Sequence, residues 1–176
     1  MERKLSTPIS DKTRKSLKIG EEVLICGYIY TARDAAHKLL VDAIDNNEKL
    51  PFDLENQIIY YVGPTPAKSN QVIGACGPTS SYRMDKFSPK LMEKGLKIMI
   101  GKGPRSDDFL DSLIKNESVY LLAIGGLGAK LSKTVKENKK IAYDHLQSEA
   151  IHRLKVVNFP AIVAIDSKGN SIFNKK

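Results

Sequence analysis

The stretch Glu21 to Val41 reads EEVLICGYIY-T-ARDAAHKLLV, and it decides the fold class. Glu21 to Tyr30 is rich in β-branched and aromatic residues, the composition of a strand. Thr31 turns the chain. From Ala32 to Val41 the spacing becomes helical, with Ala36, Leu39 and Leu40 on one face. Strand and helix are therefore mixed along the chain.

The same reading extends outward in both directions. Ile58 to Val62 (IIYYV) is a strand stopped by Gly63-Pro64, and Val72 to Ala75 is a short one that runs into Cys76-Gly77-Pro78-Thr79. Ser80 to Lys94 is a helix candidate closed by Gly95, with Pro89 late within it. Lys97 to Ile100 and Ser118 to Ile124 are strands on either side of a helix over Asp107 to Asn116. A glycine loop follows at Gly125 to Gly128. Val156-Val157 and Ala161 to Ile165 are strands, and Ser167-Lys168-Gly169-Asn170 turns into Ser171 to Phe173. Residues 1 to 18, with Pro8 and the mixed charges of Asp11 to Lys18, read as a lead-in rather than a buried element. Helices gather in the middle and strands at both ends. This predicts one α/β domain over residues 1–176, a mixed sheet with helices on one side plus a second β layer, rather than a doubly wound fold.

Composition narrows the function classes. Apolar residues make up 41% and charged residues 27% of the 176, which describes a globular chain with a sizeable core. The longest apolar run, Val119 to Ile124, is a strand's length and predicts no membrane span. The opening MERKLSTPIS lacks an apolar h-region, so no secretory signal is expected. Two cysteines, Cys26 and Cys76, suit a cytoplasmic protein with reduced thiols; they are too few for a four-cysteine iron-sulfur cluster. The net charge of +8 is compatible with nucleic acid, a membrane surface or anionic small molecules. The basic residues form no single stripe and no RNA-binding aromatic signature accompanies them, so a basic nucleic-acid-binding module is the weaker alternative.

Three motifs place cations or hydroxyls where chemistry is expected. In Gly77-Pro78-Thr79-Ser80-Ser81-Tyr82-Arg83-Met84-Asp85, small residues open a predicted helix, whose free N–H groups and dipole would favour an anion. Arg83 falls four residues after Thr79, on the same face if the helix begins there. In Thr31-Ala32-Arg33-Asp34-Ala35-Ala36-His37-Lys38, Arg33 stands just past a strand, positioned to grip a carboxylate. In Gly101-Lys102-Gly103-Pro104, flanking glycines leave the ammonium unobstructed, although the Walker spacing is absent. Plainer readings remain beside these: an N-cap threonine with a solvated arginine, an arginine–carboxylate bridge within the fold, and an ordinary turn lysine. Gly125-Gly126-Leu127-Gly128 lacks dinucleotide spacing, His145 and His152 define no metal site, and His37 is a candidate acid or base beside the plainer reading of a structural helix histidine.

Taken together and in this order, the three motifs resemble the β subunit of class I iron-sulfur fumarate hydratases and L(+)-tartrate dehydratases, which is the C-terminal domain of the fused members. The tail is similar too, through Glu149-Ala150-Ile151, Val156 to Ala161 and Asp166 to Asn170. The resemblance runs from about Leu17 to Phe173. It implies a swivelling β/β/α domain in a two-subunit hydro-lyase that reversibly hydrates fumarate to L-malate, or dehydrates tartrate. It also implies an α subunit, in an α2β2 assembly, whose three cysteines hold a four-iron four-sulfur cluster open to substrate. By motif position Arg33, Arg83 and Lys102 would bind the dicarboxylate, and Thr79 would be the candidate base, with no metal ligand on this chain. The departures are Pro104, where asparagine is common, and Asn158, where an acidic residue is common.

Overall fold

The computed structural model describes residues 2–124 and 128–174. Twelve elements organise these residues. They run in the order β1 (Arg3–Ser6), α1 (Asp11–Ser16), β2 (Glu22–Thr31), α2 (Asp34–Asp45), β3 (Ile58–Tyr60), α3 (Ser88–Glu93), β4 (Ile98–Gly101), α4 (Asp107–Asn116), β5 (Val119–Ala123), α5 (Gly128–Ser132), β6 (Val135–Ala142) and β7 (Ile151–Ile165), with short 3-10 turns at Ser81–Met84 and Asp144–Glu149.

The seven strands form one sheet, in the order β1-β2-β3-β4-β5-β7-β6, and a further ladder joins β2 to β7. Strands β1 to β5 pair in parallel, whereas β7 runs antiparallel to β2, β5 and β6. The β2–β7 ladder thus closes β2, β3, β4, β5 and β7 into a ring. The expected second β layer is the β1–β2–β7–β6 half of the same hydrogen-bonded sheet, not a detached one. Strands β3, β4 and β5 bury both faces, which is why they read as unbroken apolar runs. Ile58, Ile98 and Val119 point into a cluster walled by Ile25, Ile29 and Phe159. Ile59, Met99 and Tyr120 point the other way, against Leu40 of α2, Leu91 of α3 and Phe109 of α4.

Several sequence expectations need correction. The lead-in is part of the core: β1 pairs with β2 from Arg3↔Val23 to Ser6↔Cys26, and Leu5, Ile9 and Leu17 are each under 4% exposed. Their wide spacing among charged residues hides the pattern, because the short β1 and the one-and-a-half turns of α1 each bury single side chains. Val72 to Ala75 forms no strand. Ile73 and Cys76 bury in the interior cluster from a loop, tied back by Thr65, whose N–H donates to Ala75 O and whose Oγ1 accepts from Ala75 N. The single helix expected over Ser80–Lys94 is broken into the Ser81–Met84 turn and α3. Pro89 lies in the first turn of α3, where no intrahelical N–H is needed, rather than late in a longer helix.

Val156-Val157 and Ala161 to Ile165 belong to one fifteen-residue strand, β7. It is bent where the β2 register shifts between Ile25 and Gly27. Asn158 adopts φ 55° at that bulge, and its N–H reaches Cys26 Sγ at 3.3 Å. Strand β6, VKENKKIA, had no counterpart in the sequence reading, because an edge strand with mostly solvated side chains shows little apolar alternation. Ser171 to Phe173 makes only a bridge, Ile165 to Ser171. Gly125, Gly126 and Leu127 lie outside the described residues.

Candidate functional site

Four parallel strands end at one edge of the sheet. Thr31, Tyr60, Ile100 and Leu121 stand in a row across it as successive register partners. Arg33 and Lys102 each lie two residues beyond that row, on strands separated by β3, so their backbones are about 10 Å apart by strand spacing alone. The carboxyl ends of parallel strands are where α/β sheets present ligand-binding groups. Thr79 is delivered to the same edge by backbone pairing. Its N–H donates to Tyr61 O at 2.9 Å, Ser81 N–H donates to Lys102 O at 3.0 Å, and Ser80 bridges Lys102 in parallel. Residues from three distant stretches therefore meet across the ends of β2, β3 and β4.

Arg33 is the N-cap of α2 and offers that helix no side-chain cap. The cap comes from Glu149, whose Oε1 accepts from Ala35 N at 3.3 Å. His37, fully buried, fixes the turn from within: its Nδ1 lies 2.8 Å from Arg33 O, and a carbonyl can only accept, so Nδ1 bears the proton. Burial holds His37 down at about 4, well below the usual histidine range. The Arg33 side chain passes over Gly63. A Cβ there would stand 2.8 Å from Arg33 Cδ and 3.1 Å from both Nη1 and Ser148 O, so only glycine leaves the arginine this path. Arg33 Nε is buried and, among the described residues, has no hydrogen-bond partner.

Arg83 is occupied by an internal carboxylate. Its Nε donates to Asp34 Oδ1 at 3.2 Å, and Nη2 lies 2.9 Å from Oδ2. The second contact is ionic only, since Oδ2 accepts no hydrogen bond of acceptable geometry. Asp34 thus pairs with Arg83, not with its neighbour Arg33. The helix-terminus argument for this motif fails. Thr79 lies outside the helical turn, which spans only Ser81–Met84. The Thr79 and Ser81 N–H groups are already spent on Tyr61 and Lys102, and the turn is too short for a macrodipole. Arg83 lines an open groove of about 770 Å³ with Asp34, Tyr82 and Arg105, and Arg33, Thr79 and Lys102 do not line it. The four residues share an edge rather than one closed pocket wall.

Behind that edge is a buried polar network that sequence reasoning missed. Ser81 Oγ accepts from Lys102 N at 2.8 Å. Tyr120 Oη lies 2.8 Å from both Ser81 Oγ and Gly103 O. Only Tyr120 has a proton to give the Gly103 carbonyl, so the serine supplies the proton between the two hydroxyls. Burial pushes the Tyr120 phenol well above its ordinary value, which keeps it a donor. Deeper still, Arg105 Nε donates to Asp85 Oδ1 at 2.5 Å, and Ser106 N donates to Asp85 Oδ2 at 2.7 Å. The guanidinium lies over the Phe109 ring at 3.5 Å. Asp85 stood inside a quoted motif, but nothing in Gly-Pro-Arg-Ser-Asp distinguishes a buried arginine from a solvated one.

The chain's own thiols do not suit an iron-sulfur cluster. Cys26 sits in the β2–β7 bulge against Asn158, and Cys76 is buried with its thiol pushed up to about 12 by desolvation. Among the described residues no three His, Cys, Asp or Glu side chains gather as metal ligands. No helix among them is long and apolar enough to cross a membrane.

Fold and edge together describe a mixed α/β domain with cations at the carboxyl ends of its parallel strands. The family model "Fumarase C-terminus" matches residues 2–176, and the chain belongs to that family. It is 41% identical to the putative L(+)-tartrate dehydratase subunit beta of Methanocaldococcus jannaschii, covering 96% of this chain and 91% of that one. It is 35% identical to fumarate hydratase 2 of Leishmania major, covering 97% of this chain and 31% of the relative. A putative class I fumarate hydratase of Geobacillus stearothermophilus is 37% identical over 96% of this chain and 33% of its own length. The chain thus spans about a third of these fumarate hydratases and nearly all of the tartrate dehydratase subunit.

Proposed function

We propose that this chain is the β-type part of a hydro-lyase that reversibly hydrates fumarate to L-malate, together with an α subunit. The observation behind this reading is the arrival of Arg33, Thr79 and Lys102, from three distant stretches, at the ends of three adjacent strands. A four-carbon dicarboxylate has two anionic ends to neutralise. Charge-assisted hydrogen bonds from Arg33, Arg83 and Lys102 would each contribute roughly 1.5–3 kcal/mol to holding them. Moving a proton beside a carboxylate builds negative charge on that carboxylate, which fixed cations stabilise. Among the described residues nothing pairs with the Lys102 ammonium or the Thr79 hydroxyl, so both stand ready for a ligand.

Thr79 is a weak base unless another group takes its proton. Of the carboxylates beside this edge, Asp34 and Asp85 are engaged by Arg83 and Arg105, and Glu149 caps Ala35 N. The acceptor on this reading comes from the α subunit, which also carries the cluster, within an α2β2 assembly. A cytoplasmic location belongs to the same proposal and fits two free thiols. A second reading, dehydration of L-tartrate, draws on the archaeal relative matched over 91% of its length. One extra hydroxyl is a small difference for the same cations.

The test is to purify the chain alone and with a co-expressed α subunit, anaerobically, and to compare kcat/KM for malate and L-tartrate. Activity is expected only in the pair. Efficient hydration of fumarate by the isolated chain would refute the division of labour.

A further inference from the structure

The Gly101–Ser106 turn and the Thr79–Asp85 segment meet at two depths. Nearer the strand ends, Ser81 and Lys102 exchange hydrogen bonds. Beneath, Arg105 and Asp85 form an ion pair whose side chains are 1% and 9% exposed. Such a pair is a weak source of stability, because desolvation offsets attraction and apolar replacements of similar volume are often neutral. Its geometry is more telling. Arg105 lies three residues after Lys102, and its Nη2 reaches Tyr61 Oη at 3.2 Å and Ser88 Oγ at 3.3 Å. Tyr61 is also the residue whose carbonyl receives the Thr79 N–H. The Asp85 carboxylate spans two consecutive residues, taking Arg105 Nε on one oxygen and Ser106 N on the other. One side chain is therefore linked to both segments that present a candidate ligand.

We infer that Arg105 and Asp85 are positioning residues: a buried strut that sets the Lys102 loop against Thr79 and so fixes the spacing of ammonium and hydroxyl for a small dicarboxylate. The catalytic consequence rests on the dicarboxylate reading above; the strut itself does not. On this reading both act through other residues, Arg105 Nε and Nη2 and both Asp85 carboxylate oxygens being engaged with each other and with Tyr61, Ser88 and Ser106. Their effect passes through the Lys102–Ser81 exchange and the Tyr61–Thr79 bond.

The test uses the assembled two-subunit enzyme with fumarate and malate. The double variant Arg105→Met/Asp85→Leu removes the strut while leaving no buried charge unpaired, and Arg105→Lys keeps the charge but shortens the reach to Tyr61 and Ser88. In the double variant, amide exchange at Lys102 and Ser81 should quicken by about tenfold while β4 and β5 keep their protection. KM for malate should rise by about tenfold with a smaller fall in kcat. Arg105→Lys should recover part of both changes. Parental exchange at Lys102, or a uniform acceleration across β3, β4 and β5, overturns the inference. If the parental assembly turns over no dicarboxylate, the proposed function fails, while exchange at Lys102 still decides the strut.

Discussion

Replacing Gly101 by alanine isolates the packing on which the edge depends. Gly101 has an ordinary backbone, so space rather than conformation demands glycine. An added Cβ would stand 1.8 Å from Ser81 Oγ, 2.8 Å from Tyr61 Cδ2 and 3.1 Å from Ser81 Cβ. Ser81 is fully buried, and its oxygen is held by Lys102 N and Tyr120 Oη at 2.8 Å each. It cannot rotate away without giving up both bonds. Overpacking costs about 1–3 kcal/mol, and a buried donor left unpaired costs about 1–3 kcal/mol more. Gly101→Ala should therefore destabilise the protein by about 2–6 kcal/mol, seen as a lower urea midpoint at unchanged slope. Ser81→Ala removes the clashing oxygen and leaves the 2.8 Å contact with Tyr61 Cδ2 and the 3.1 Å contact with the Cβ of residue 81. The double variant should then be less destabilised than the two single changes added together, by about 1–2 kcal/mol. Strict additivity, or a Gly101→Ala protein within about 0.5 kcal/mol of the parent, would show that Ser81 is not the obstacle.

Other consequences can be measured directly. His37 is held neutral in the fold at about 4, against 6.5 when free. The unfolded chain therefore binds the extra proton first as pH falls. The stability present above pH 6.5 drains away as pH drops toward 4, by about 3 kcal/mol in total. Urea titrations at pH 7, 5.5 and 4 should show this loss in the parent and much less of it in His37→Gln; equal slopes would refute it. Lys102 is exposed, and among the described residues nothing pairs with its ammonium, so Lys102→Ala should leave stability within about 0.5 kcal/mol. In the assembled enzyme the same change should cut kcat/KM for malate by about 10²–10³, and near-parental kinetics would remove Lys102 from the site. Deleting residues 1–17 strips Leu5, Ile9 and Leu17 from the core. At roughly 1.5–3 kcal/mol each, that loss rivals a typical domain's whole stability. Circular dichroism should find the truncated chain largely unfolded, and a cooperative melt would contradict that.

How much was legible depends on how local the physics is. The helix over Asp107–Asn116 was read to the residue because its signals are local: Ser106 caps Phe109 N and Glu117 closes it in the left-handed region. Strands β3, β4 and β5 were legible because burial on both faces leaves an unbroken apolar run. Strand β6 and residues 151–155 of β7 were not. The β7 pairing is set by partners far along the chain, such as Tyr30↔Arg153, and the residues of β6 are largely solvated. The lead-in failed for the opposite reason. Its three buried apolar side chains are too widely spaced to show a period, and the fourth buried residue, Arg14, is charged.

The site divides along the same line. Arg33 and Lys102 were legible as edge candidates because each follows a strand, and strand ends gather at one edge whatever the details of packing, whereas Thr79 and Arg83 were singled out by a Gly-Pro-Thr-Ser-Ser pattern that follows a loop. What no pattern could reveal is who holds them. Glu149 caps the helix that bears Arg33 from 114 residues away, Asp34 engages Arg83 across 49, and Tyr120 closes the Lys102 turn from 39 residues beyond Ser81. Each of these contacts depends on the closed ring of strands, since β2, β4 and β5 must already be in register before the side chains can meet. The ligand candidates are thus set by local sequence and their spacing by topology. Changes at Glu149, Tyr120 or Arg105 should consequently act on substrate affinity through geometry while leaving every candidate ligand in place.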